Sequence, residues 1–169
     1  SGFSINLSYL DMTNIVTTTF IIEKLEEFNV GPWVIFEILE SDGIENYDAV
    51  SKFIEKVKSY GAKIAIDDFG AGYSNFERLA ELRVDFIKID GSLIRNIDKN
   101  DEMKIIVRTI VGFAKELGIK TIAEYVHSQS VLECVKEIGI DCAQGFHIGK
   151  PSPELESASE PTLKRVHVL

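Results

Sequence analysis

The chain has 169 residues, room for one domain with its own core, and its 45% hydrophobic and 27% charged residues are ordinary for a globular protein. A net charge of −9 argues against a DNA or RNA polymer or an anionic membrane surface as partner, since both call for a basic patch. No apolar run approaches the ~20 residues of a membrane span and no signal peptide opens the chain, so the expected location is cytoplasmic.

The predicted elements alternate between short β-branched runs and amphipathic helices. The strand Phe3-Ser4-Ile5-Asn6 is followed by a weak helix from Met12 to about Phe28, with Thr17, Thr18 and Thr19 in its middle. Next comes the strand Trp33 to Glu37. A helix from about Ile44 to Tyr60 places Val50, Phe53, Ile54 and Val57 on one face, with Gly61 as its stop. Strands over Lys63 to Asp67 and Phe86 to Asp90 precede a helix that starts near Asn100. That helix carries Asp101 and Glu102 in its first turn, turns Ile106, Ile110, Phe113 and Leu117 inward and ends at Gly118. A strand over Lys120 to Glu124, a helix from Ser128 to Gly139 and a strand over Asp141 to Gln144 follow. After Pro151-Ser152-Pro153, Leu155 to Leu169 reads as a tail or terminal helix attached to a domain of residues 1–154. Cys134 and Cys142 match no zinc spacing and are expected to be reduced and buried.

Strand starts spaced about 20 to 35 residues apart point to βα units in a parallel sheet. A complete (β/α)8 barrel takes about 250 residues. The fold class expected here is therefore α/β, an incomplete (β/α)8 TIM-like barrel with about six parallel strands. Its two edge strands would be left open, and open edges recruit partners. Self-association through them is expected.

Each strand ends in a polar residue. Asn6, Glu37, Asp67 with Asp68, Lys88 with Asp90, Glu124 and Gln144 would converge on the C-terminal rim, where parallel α/β folds keep their active sites. Asp67-Asp68 is the most specific of these. Adjacent carboxylates repel unless a cation lies between them, and carboxylate oxygens are natural ligands of hard divalent ions. Read alone, Asp67 is also a fair helix cap, Asn6 a turn former and Lys88 the partner of Asp90 in a structural ion pair.

The stretch Asp67-Asp68-Phe69-Gly70-Ala71-Gly72-Tyr73-Ser74 resembles the D-D-F-G-x-G-Y-S loop of the EAL domain family, the bacterial cyclic di-GMP phosphodiesterases. Ile5-Asn6-Leu7-Ser8, Phe36-Glu37-Ile38-Leu39-Glu40-Ser41, Lys88-Ile89-Asp90 and Gln144-Gly145-Phe146 resemble other segments of that family in the same order. The resemblance covers about residues 3–154 and reads as the C-terminal two-thirds of such a domain, truncated at its N-terminus and lacking the Glu-Ala-Leu strand. A second departure lies at Ala123-Glu124-Tyr125-Val126-His127, where the family pattern is A-E-G-V-E.

The resemblance implies a two-metal Mg²⁺ or Mn²⁺ site in which Asn6, Glu37, Asp67 and Asp68 are ligands and Asp67 bridges. It further implies that Lys88 orients water or phosphate and that Glu124 is ligand or general base. Gln144 would line the site beside Asp90, while Glu40 anchors a loop made mobile by Gly70 and Gly72. The implied activity is hydrolysis of cyclic di-GMP to linear pGpG in bacterial signalling, impaired in this chain. The alternative is a degenerate module that binds cyclic di-GMP or a protein partner without turnover, with His127 in place of an acid. An unrelated barrel enzyme using Lys88 as an imine-forming amine is a third reading. It fits poorly with a lysine whose pKa acidic neighbours keep high.

Overall fold

The computed structural model describes residues 2–39, 47–72 and 76–151. The expected tail from Leu155 and the loop residues Glu40, Tyr73 and Ser74 lie outside the described residues. Six strands form one sheet: β1 (Phe3–Leu7), β2 (Val34–Leu39), β3 (Lys63–Phe69), β4 (Phe86–Ile89), β5 (Lys120–Ala123) and β6 (Cys142–Ala143). They lie in sequence order and every neighbouring pair is parallel. The sheet is open, with β1 and β6 as its end strands, so the six-strand incomplete barrel read from the sequence holds.

The helices are α1 (Tyr9–Thr13), α2 (Ile15–Phe28), α3 (Tyr47–Ser59), α4 (Phe76–Leu82), α5 (Gly91–Ile94), α6 (Asp101–Glu116) and α7 (Gln129–Ile138). In α3 the buried residues are Val50, Phe53, Ile54 and Val57, as the periodicity predicts. Ser128 caps α7 by accepting from the Val131 amide, and Gly139 ends it in a left-handed conformation.

Two helices differ from expectation. The weak segment before Phe28 is two helices, broken at Asn14 rather than at the threonines. The Asn14 side chain accepts from the amides of Val16 and Thr17, while its own amide closes α1 on Leu10. In α6 the buried stripe is Val107, Ile110 and Ala114. Ile106 and Leu117, expected inside, are exposed. Ile105, Ile106 and Val107 are consecutive, so the helix has two apolar stripes sharing Ile110, and only packing selects one.

Acids at the starts of strands pin the register. Asp85 accepts from the Ile64 amide and from Lys58, and Asp141 accepts from the amide and hydroxyl of Thr121. The core formed by the sheet and these helices includes Phe36, Ile38, Ile64, Ile87, Ile89, Ile94 and Val135. Cys134 and Cys142 are buried thiols.

Candidate active site

Neighbouring residues of a regular strand point to opposite faces of the sheet, which would separate Asp67 from Asp68. The β3–β4 register shifts between Ile66 and Phe69, and Asp68 adopts a left-handed backbone with φ 54°. Aspartate tolerates that conformation better than most residues, and such an irregularity re-aims a side chain. One carboxylate oxygen from each of Asp67, Asp68 and Glu124 thereby lies within 4.8 Å of the other two.

Lys88 from β4 is the hub. It is only 3% exposed, and its ammonium lies 2.9 Å from Glu37, 2.7 Å from Asp67 and 3.1 Å from Glu124. An ammonium has three N–H donors, so each can serve one carboxylate, drawn from β2, β3 and the end of β5. Burial works against the charge on Lys88, but Glu124, Asp67 and Glu37 outweigh it and hold the amine above its ordinary pKa. A neutral, imine-forming lysine does not fit this setting.

Burial also pushes Glu124 up to about 7; Lys88 pulls the other way, and Asp67 and Asp68 add to the rise. Asp68 is raised first by burial and then by the charges of Asp67 and Asp90. Glu37, Asp67 and Glu124 share one ammonium while Asp68 and Asp90 lie beside them, a set of hard oxygen donors with surplus negative charge that suits a divalent cation. Gln144 donates from Nε2 to Glu124 at 2.6 Å. Its Oε1 is buried with no hydrogen-bond partner among the described residues.

The structure brings Glu37, Asp67, Asp68, Lys88, Glu124 and Gln144 together. Asn6 lies opposite Glu37 in the β1–β2 register and is exposed. Asp90 accepts from the Ser92 amide as the cap of α5, while Lys88 takes its partners from other strands. Gly70 has φ 96°, a left-handed backbone that favours glycine, and a Cβ there would press on the Leu93 side chain. Gly72 faces open space. Glu40 lies outside the described residues. Arg95, which no motif singles out, has its guanidinium 4.5 Å from the centre of the Tyr125 ring.

The EAL domain model matches residues 1–151. The chain belongs to the EAL domain family. It is 36% identical over 159 residues to the cyclic di-GMP phosphodiesterase PdeF of Escherichia coli K12, covering 94% of this chain and 21% of that protein. The chain spans about a fifth of the length of the curated relatives it matches. The EAL domain of Mycobacterium smegmatis DcpA superposes with a TM-score of 0.82 at 29% identity, over 88% of this chain and 67% of that one. Klebsiella pneumoniae BlrP1, solved with cyclic di-GMP and calcium or manganese, superposes with a TM-score of 0.77 at 31% identity. That match covers 86% of this EAL chain and 37% or 38% of BlrP1. Among the described residues, no helix is long and apolar enough to cross a membrane.

Proposed function

We propose that this EAL domain, residues 1–154 of the chain, hydrolyses cyclic di-GMP to linear pGpG with divalent metal ions. The observation that carries the reading is the convergence of Asp67, Asp68 and Glu124 around Lys88, supported by the names of the relatives and by the metals in BlrP1. In this reading Asn6, Glu37, Asp67 and Asp68 would hold the Mg²⁺ or Mn²⁺ ions. Such ions supply a lowered water pKa and neutralise charge on the phosphodiester.

The product keeps a 5′-phosphate, so water adds to phosphorus, the P–O3′ bond breaks and a proton goes to O3′. Glu124, with a carboxylate oxygen within 4.8 Å of those of Asp67 and Asp68, is placed to accept the proton of the attacking water. Lys88 offsets charge on the phosphoryl oxygens and keeps Glu37, Asp67 and Glu124 in place. Gln144 orients Glu124 through its Nε2 bond, Asp90 lines the neighbouring rim, and Glu40 with Gly70 and Gly72 sets the loop after β3. The buried thiols of Cys134 and Cys142 fit a reducing compartment, and we place the domain in the cytoplasm. Copies of the domain pair through β1 and β6.

A second reading, binding of cyclic di-GMP without turnover, is favoured by His127 at the position where the family pattern has an acid. Chromatography of cyclic di-GMP incubated with the chain and Mn²⁺, beside Asp67→Asn, separates the two. Linear pGpG from the wild type alone supports hydrolysis. Bound but uncleaved ligand supports the second reading, and equal product from both proteins sinks the assignment of the site.

A further inference from the structure

Four described residues other than glycine have positive φ: Asn29, Arg83, Asp68 and Tyr125. Asn29 and Arg83 directly follow helices α2 and α4, the usual place for a left-handed residue. Asp68 and Tyr125 instead lie at the C-terminal rim of the sheet, Asp68 within the candidate site and Tyr125 next to Glu124. A left-handed backbone is costly for a bulky side chain and persists only where its surroundings enforce it.

The surroundings of Tyr125 do enforce it. The Glu124 amide donates to Ile89, the Val126 amide to Gln144 and the His147 amide to Val126, so the backbone is tied on both sides. Gly91, which follows Asp90, lets the tyrosine approach: a Cβ on Gly91 would lie 2.9 Å from the Tyr125 Cβ. Arg95 reaches across from the end of α5 to place its guanidinium over the ring, and the His127 ring lies 5.6 Å away at 48°. Tyr125 is nonetheless 50% exposed. A strained, braced and half-exposed aromatic therefore directly follows Glu124, the carboxylate assigned to the attacking water.

We propose that Tyr125, backed by Arg95, is a stacking platform for a purine base of cyclic di-GMP at the rim of the site. The inference rests on the cyclic di-GMP reading above. Its chemistry complements that site: the carboxylates, with their ions, address the phosphodiester but offer nothing to a base. A ring with a guanidinium beside it supplies both a π-face and a positive charge for an anionic nucleotide. Because the family pattern has glycine at this position, the platform is a specificity device of this chain.

The test is calorimetric titration of cyclic di-GMP in the presence of Ca²⁺, alongside thermal unfolding, for wild type, Tyr125→Phe, Tyr125→Gly and Tyr125→Asn. Glycine and asparagine both accept the left-handed backbone while removing the ring. The expected result is that Tyr125→Phe stays within roughly twofold of wild type, while Tyr125→Gly and Tyr125→Asn bind about tenfold or more weakly without a lower melting temperature. Equal affinity in all four proteins, or a lowered melting temperature with unchanged affinity, overturns the platform and leaves the phosphodiesterase reading standing. No binding by the wild type overturns both.

Discussion

The middle of the sheet and the flank formed by β1, α1 and α2 treat their awkward side chains in opposite ways. In β2 and β4 charged groups are inside: Glu37 and Lys88 are almost fully buried. Along the flank apolar groups are outside: Phe3, Ile5, Leu10, Ile15, Val16 and Phe20 are exposed, and α2 buries only Leu25. Burial thus follows neighbours rather than residue type. β4 has a strand on each side, with partners on β2, β3 and β5 for its lysine, whereas β1 pairs on one side alone. A buried charge is tolerated where it is fully partnered, and an apolar side chain stays exposed where no element covers it.

Lys88→Met tests the first half of that contrast and has the largest expected effect. It leaves Glu37, Asp67 and Glu124 facing one another without their cation, at a cost of about 3–5 kcal/mol in urea unfolding without added metal. A loss below about 1 kcal/mol would mean that the carboxylates repartner, and the hub would lose its meaning.

Truncation sharpens the same comparison. Ile110→Ala, in the buried stripe of α6, is expected to cost about 2–5 kcal/mol, and Val16→Ala, on the exposed flank, less than about 0.5 kcal/mol. Similar costs at the two positions would show that something covers α2.

The pH dependence of stability reads the charged centre directly. Glu124 is pushed from its ordinary 4.5 up to about 7. Between those values the folded state binds the proton and the unfolded state does not, so stability from this group is full below about 4.5 and is lost as pH rises through about 7. The loss is bounded at roughly 3 kcal/mol. Lys88 is raised from 10.5, so its contribution disappears only in the alkaline range above that value. Added Mg²⁺ should offset the loss and raise the melting temperature more at pH 8 than at pH 5.5, because a proton on Glu124 removes negative charge that faces the ions. An equal rise at both pH values would move the metal away from Glu124 and Asp68.

The smallest stability effect is expected at the edge. Ile5→Lys on β1 should change stability by less than about 0.5 kcal/mol yet lower the molar mass by light scattering, if β1 pairs between copies. A monomeric wild type would remove the self-association proposal.

Local features were legible from the residues alone. Short apolar runs located the six described strands, a 3.6-residue period located the buried face of α3, and Ser128 and Gly139 bounded α7. The polar residues at strand ends marked the rim because parallel strands bring like ends together whatever the details of packing. The break at Asn14 escaped notice, since three threonines were the louder signal while a single asparagine capped two helices. The α6 face was ambiguous for the reason its sequence shows, two stripes through Ile110.

What the sequence by itself determined is the set of strands, their parallel order, the rim and the chemical character of the site, all of which follow from short-range pattern and chain direction. Only the tertiary structure decided how those residues meet. The irregularity at Asp68 that turns two adjacent carboxylates toward Glu124, the choice of three acids from three strands by Lys88, and the placement of Arg95 against Tyr125 all depend on register between segments distant in sequence. A one-residue shift in register reverses which face a side chain occupies, and no local pattern encodes that shift.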